Sequence, residues 1–156
     1  MARKTIEERF NAKVRMDADG CHRWVACTNS EGYGYFWDGT RPVFAHRWAY
    51  SAAHGEIPKG MDIDHMCWNK ECVNVEHLRI TTRKQNLENV SALQGNNTSG
   101  YQGVTWHKHA RKWCARIKHN GKRIHVGYFN DINEANDAVI EARNKYFTHN
   151  DLDRAS

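Results

Sequence analysis

The run Met61-Asp62-Ile63-Asp64-His65-Met66-Cys67 holds the residue types that hydrolysis of a phosphodiester needs. That reaction requires an activated water, charge neutralisation on the phosphate and help for the leaving oxygen. Histidine is the natural general base near neutral pH, and a divalent cation serves the other two needs. An Asp beside a His at a strand end can aim its carboxylate at a metal and the imidazole at the phosphate. Asn86, in a predicted helix over Thr82 to Asn89, offers a second protein oxygen. Asp64 and Asn86 would then hold Mg2+ or Mn2+, which prefer hard oxygen ligands. Taken without context, Asp-His is a common pair and reads as an ordinary strand end.

A second set of ligand types surrounds this run. Cys67 and Cys72 bracket the loop after His65, His77 follows at the same interval, and Cys21 lies far upstream. Thiolates and imidazole at short loop spacings suit a structural Zn2+. The spacing is not that of a Cys-x-x-Cys knuckle, and buried free thiols account for the same residues. Cys27 and Cys114 stand alone and are read as inert.

The elements that must position these groups are legible in part. Thr5 ahead of Ile-Glu-Glu-Arg-Phe predicts a short capped helix, and Trp24 to Trp37 is strand-like, aromatic and Gly-rich. A helix is expected over Phe44 to His54, ended by Gly55, with His54 a helix-end residue. Ile57 to His65 is extended. Beyond Gln94-Gly95-Asn96-Asn97-Thr98-Ser99-Gly100, which has linker composition, Asn120-Gly121 between alternating segments signals a hairpin. Asp131 caps a helix whose Ile132, Ala135, Ala138, Val139, Ala142 and Tyr146 recur on one face.

If Asn120-Gly121 is a two-residue turn, register follows: Lys118 faces Arg123, Ile117 faces Ile124, Arg116 faces His125 and Ala115 faces Val126. Arg116, Lys118, Arg123 and His125 then share one face, which Lys112 continues, with Arg111 beside it. Like charges opposite one another destabilise a sheet, so a face that accepts them is suited to an anionic partner. A solvated sheet face is the plain alternative.

The blocks Ile57-Pro58-Lys59-Gly60 through Asp64-His65, Cys72-Val73-Asn74-Val75-Glu76-His77-Leu78 and Thr82-Arg83-Lys84-Gln85-Asn86 together resemble phage and intron-encoded HNH endonucleases of the His-Me finger class. The resemblance reaches weakly back to Glu7-Glu8-Arg9-Phe10 and through Ala45-His46-Arg47. It implies His65 as general base and Asp64 with Asn86 as ligands of a single metal ion. The middle position of that family is usually Asn and orients the base; here it falls on His77, with Asn74 nearby. His46 and Arg47 are read as packing or phosphate contacts. The second segment, through Tyr101-Gln102-Gly103-Val104, Trp113-Cys114-Ala115-Arg116-Ile117 and Val126-Gly127-Tyr128-Phe129, resembles the plant ethylene-response-factor DNA-binding domain. That likeness implies a sheet that enters the major groove, with Gln102, Arg116, Lys118, Arg123 and His125 as contacts. His125 stands where those domains commonly have Trp, and Gln102 where they have Arg, so no target sequence carries over.

The expected fold class is α+β. A ββα-metal (His-Me finger) domain over residues 1–93 is followed by a linker at 94–100. A three-stranded antiparallel sheet packed on one C-terminal helix covers 101–148, and a tail runs over 149–156. The formal charge of +5, with ten histidines besides, favours a polyanionic partner. The N-terminus lacks the apolar run of a signal peptide and no segment is a membrane span. An intracellular protein is therefore expected, in the host cytoplasm if phage-encoded. With five cysteines in a reducing compartment, metal binding or burial is expected rather than a disulfide framework. The expected function is a site-preferring, homing-type endonuclease acting on double-stranded DNA, with no protein partner inferred. A DNA-binding regulator with an inactive HNH domain is the alternative, and a zinc-stabilised structural module of a phage assembly is a third.

Overall fold

The chain begins with helix α1 (Ile6–Asn11), where Thr5 Oγ1 accepts from the Glu8 amide and the Glu8 carboxylate accepts from the Thr5 amide. This reciprocal cap satisfies two amide groups that an isolated helix start leaves bare. The computed structural model describes residues 3–90 and 93–154. Residues 91 and 92, at the end of the predicted first domain, lie outside these, as do residues 155 and 156 of the predicted tail. The chain divides into two compact units between Asn86 and Leu87.

The first unit is built from three short antiparallel pairs. Strand β1 (Val14–Met16) pairs with β2 (His22–Trp24), and β3 (Tyr35–Trp37) with β4 (Pro42–Phe44). Helix α2 (Ala45–His54) follows β4 directly and ends at Gly55, whose φ of 90° suits a residue without a side chain. After it β5 (Asp62–His65) pairs with β6 (Leu78–Thr81), and helix α3 (Arg83–Glu88) closes the series. The core comprises Phe10, Trp24, Phe36, Ala45, Ala49 and Val73. Phe10 sits 5.1 Å from both the Trp24 and Phe36 rings, meeting Phe36 edge-on, a favoured aromatic geometry. Gly34 passes so close to Trp24 that a Cβ there would lie 2.4 Å from the indole. Only glycine fits.

The second unit carries a three-stranded antiparallel sheet, β7 (Val104–His107), β8 (Lys112–His119) and β9 (Lys122–Phe129), in the order β7-β8-β9. The β8–β9 turn has positive φ at both Asn120 (50°) and Gly121 (76°), as a two-residue primed turn demands. Lys118 faces Arg123, Ile117 faces Ile124 and Arg116 faces His125, as the turn predicts. Beyond that pair the expected register is corrected: an irregularity between Ala115 and Arg116 places Ala115 opposite Gly127, not Val126. The extra residue is Val126, on β9 between His125 and Gly127. On the other edge of β8, Gly103, at φ 86°, brings its carbonyl to the Arg116 amide at 2.9 Å. Helix α4 (Ile132–Tyr146) is capped by Asp131, whose side chain accepts from the Asn133 and Glu134 amides. Its Ala135 and Val139 join Val104, Ala115 and Ile117 in the second core.

Two features of this unit differ from expectation. Tyr146 was placed on the packed face but is exposed, and Arg143 is buried there instead. A short helix α5 (Asp151–Arg154) within the predicted tail explains the burial: Asp153 accepts from Arg143 Nε and Nη2 at 2.6 and 2.8 Å. The predicted linker is also knit into the unit. Asn97 Nδ2 donates to the Tyr101 carbonyl and Ser99 Oγ to the Val104 carbonyl.

Candidate active site and metal cluster

His65 ends β5, almost wholly buried at 6% exposure. Its Nε2 lies 3.1 Å from the carbonyl of Cys72. A carbonyl can only accept, so Nε2 carries the proton and Nδ1 is left as the basic nitrogen. Burial holds the His65 pKa below the usual imidazole value. The ring is therefore neutral near pH 7, the form a general base requires. The orienting group at His65 is thus a backbone carbonyl. His77, which the family pattern places in that role, points elsewhere.

His77 Nδ1 lies 3.7 Å from Cys21 Sγ and 3.6 Å from Cys72 Sγ, and with Cys67 the four ligand atoms fall within 4.8 Å of one another. Tetrahedral zinc, at about 2.3 Å from sulfur and 2.0–2.1 Å from nitrogen, sets N···S edges of roughly 3.6 Å. The donor set and its spacing fit that ion. Cys21 reaches the cluster because β2 pairs with the loop after β5: Trp24 donates to the Glu71 carbonyl and Val73 to the His22 carbonyl, both at 2.8 Å. Asn74 fastens the same junction. Its Nδ2 donates to the Gly20 carbonyl at 2.9 Å, and its Oδ1 caps the 3-10 turn Val75–His77. The Cys67 thiol is pulled down to about 5, first by a hydrogen bond from Cys72. Cys72 is pushed up as the donor in that pair, and Cys21 is raised by burial.

The carboxylates divide differently from the sequence reading. Asp64 faces Arg79 across the β5–β6 pair. Its Oδ2 accepts from Arg79 Nε and Nη2 at 3.0 and 2.8 Å. Asn86 instead meets Asp62, donating from Nδ2 to Oδ2 at 3.2 Å, and Arg83 reaches the same oxygen at 3.3 Å. Asp62 and Asp64 share a face by strand alternation, so the two carboxylates form one acidic edge with Asn86 at one end and Arg79 at the other. Arg79 and Asp62 were not singled out from sequence. The period of two would have flagged Asp62, whereas Arg79 needs the β5–β6 register, which no turn signal supplies.

His46, on the first turn of α2, packs 4.8 Å from the His65 ring and 5.7 Å from Phe44. Burial lowers its pKa to about 3, and its Nδ1 has no hydrogen-bond partner. Arg47 Nη1 donates to the Met61 carbonyl at 3.3 Å, bracing the entry to β5. Tyr33 closes this side, 6.0 Å from His65, with Lys70 Nζ 5.3 Å from its ring centroid.

In the second unit, Arg111, Lys112, Arg116, Lys118, Arg123 and His125 are all exposed. Arg116 Nη2 donates to Thr105 Oγ1 at 3.0 Å, which holds it across the sheet. Gln102 is exposed too, yet its Oε1 accepts from Arg143 at 3.0 Å. Cys114 is not solitary: its Sγ lies 3.7 Å from His125 Nδ1. Among the described residues, no helix is long and apolar enough to cross a membrane.

Residues 43–88 match the family model described as HNH endonuclease. That stretch holds His46, Asp62, Asp64, His65, Cys67, Cys72, His77, Arg79 and Asn86, but neither Cys21 nor the basic sheet. Among curated proteins the chain is similar to three proteins of Escherichia phage T7. Identity to Protein 7.7 is 36% over 72 residues, 46% of this chain and 55% of that protein. Identity to Protein 2.8 is 32% over 99 residues, 62% of this chain and 67% of that protein. For Protein 3.8 it is 35% over 78 residues, 50% and 64%. The chain thus spans only about half the length of Protein 7.7. No solved structure matches it. With two thirds of Protein 2.8 covered at that identity and the His65 centre inside the matched HNH segment, the chain belongs to a phage protein family with an HNH endonuclease domain.

Proposed function

We propose that this protein is a DNA endonuclease in which His65 activates the water that attacks a phosphodiester. The observation that carries this reading is the setting of His65: buried, held by the Cys72 carbonyl through Nε2 and left with Nδ1 as its basic nitrogen. Nδ1 takes the proton of the attacking water. Arg83 and Lys70, both exposed, offer cations for the flanking phosphates.

The residues fit a hard divalent cation, Mg2+ or Mn2+. Asn86 already adjoins a carboxylate, that of Asp62, and Asp64 would join them by exchanging Arg79 for the ion. When bound, such an ion supplies positive charge to the phosphate and the leaving oxygen. The β5–β6 pair followed by α3 is then a ββα-metal arrangement. Zn2+ at Cys21, Cys67, Cys72 and His77 is structural in this reading and holds the loop whose carbonyl orients His65. The second unit acts as an ethylene-response-factor-like reader of duplex DNA through Arg116, Lys118, Arg123 and His125. Site preference of the homing type, in a host cytoplasm, belongs to the same proposal.

The test is incubation with supercoiled DNA, with and without Mg2+, scored for nicked and linear products. Wild type cleaves only with the ion. His65→Ala cleaves about 10²–10⁴-fold more slowly, the usual contribution of a positioned base. A His65→Ala protein that cuts as fast as wild type overturns the assignment.

A further inference from the structure

The outward face of the β3–β4 hairpin is apolar although the core lies on its other side. Phe36 and Val43 face inward and supply the core. The alternate positions Tyr35, Trp37, Pro42 and Phe44 face the other way, and Tyr35 and Trp37 are 38% and 50% exposed. An antiparallel pair with one face on the core ordinarily turns polar side chains outward. Here four apolar residues occupy every outward position.

The rings on this face run without a gap to His65. Tyr35 stacks on Phe44 at 5.1 Å and 16°, and Phe44 stacks on His46 at 5.7 Å and 25°. His46 lies 4.8 Å from His65, and Tyr33 bridges the row from the side, 5.8 Å from Phe44 and 6.0 Å from His65. Cations lie along the Tyr35–Trp37 margin, while Glu31, Asp62 and Asp64 are acids near Tyr33. Arg9 donates to the Trp37 carbonyl at 3.0 Å, Arg41 is exposed beside Pro42, and Lys70 covers Tyr33. The acid in the hairpin turn, Asp38, is occupied by the Thr40 and Arg41 amides at 2.7 and 2.9 Å. Flat exposed rings bordered by cations complement a polyanion that carries planar apolar groups. Single-stranded nucleic acid has that chemistry, because its bases are free to stack.

We propose that this face is a stacking platform for a nucleobase beside the cleaved phosphate, and that the preferred substrate is therefore DNA with a locally unpaired nucleotide. The proposal rests on the nuclease reading and names its substrate class. Drawing a base out of a duplex is least costly where it has no partner, so a mismatch or bulge meets the platform at the smallest penalty. Stacking is tolerant of base identity, so the platform recognises the unpaired state and not the letter.

The experiment uses the full chain without added Mg2+, so that binding is read apart from cleavage. Two duplexes of one sequence are compared, one fully paired and one with a single bulged 2-aminopurine. Wild type binds the bulged duplex about tenfold more tightly, as one base–aromatic stack predicts, and quenches the 2-aminopurine. Tyr35→Ala loses both the preference and the quench, while Tyr35→Phe keeps them because the ring remains. Thermal melts of both variants confirm the fold. Equal affinity of wild type for the two duplexes overturns the platform, as does a folded Tyr35→Ala protein that retains preference and quench. Cleavage of supercoiled DNA is scored separately, so failure of the platform and failure of the nuclease reading register in different assays.

Discussion

Cys72 serves both centres at once: its thiol belongs to the Cys21–Cys67–His77 cluster and its carbonyl accepts from His65 Nε2. The purified protein is expected to carry about one zinc per chain. Cys72→Ser should lose that zinc, and its thermal midpoint should fall with it, since metal binding and folding are coupled. Metal analysis with a melting curve checks both, and a fully folded, metal-free wild type would rule out the zinc site. His46 makes a separate prediction. Its folded pKa of about 3 lies below the usual imidazole value of 6.5 because burial disfavours the charged ring, with His65 and Arg47 adding repulsion. The unfolded chain therefore binds the extra proton, so stability is complete above pH 6.5 and falls as pH drops from there toward 3. Between pH 6.5 and 5 the loss from this group approaches about 2 kcal/mol. Denaturant midpoints should fall less over that interval in His46→Phe than in wild type; equal falls would remove His46 as the cause.

At the scale of elements, the β8–β9 hairpin presents Lys118 directly opposite Arg123. Like charges so placed weaken a sheet, and an anionic partner relieves that repulsion. Replacing both by Ala should weaken duplex binding and flatten its dependence on salt, because fewer counterions are released. Titrations at several salt concentrations check this, and an unchanged slope would take these two residues out of the interface. This hairpin was legible in the sequence because Asn120-Gly121 fixes the register by local turn geometry alone. Its irregularity at Ala115 was not legible. That shift skips Val126 on β9, several residues from the turn, where the local turn geometry no longer dictates the pairing. The β1–β2 pair was missed as well, since three-residue strands carry too short a pattern for periodicity to register.

Across the whole molecule the two units hold different chemistries: a buried imidazole beside carboxylates up to Asn86, a basic sheet beyond it. His65→Ala should accordingly keep most of the wild-type affinity for duplex DNA while losing cleavage, which a binding titration beside the plasmid assay would show. A comparable loss of affinity would mean that the first unit supplies the binding. The sequence by itself determined which residue types are present and where local signals fix geometry: the Thr5 and Asp131 caps, the Asn120-Gly121 turn, the His65 run and the Cys/His set. Local hydrogen bonds and side-chain alternation act over a few residues, so they can be read in order along the chain. Only the tertiary structure decided the partners. It gave Asp64 to Arg79 and Asn86 to Asp62, turned a backbone carbonyl toward His65, and brought Cys21 to Cys72 by pairing β2 with residues 71–73. Each of these contacts joins segments whose approach is set by core packing and strand register, which no local pattern encodes.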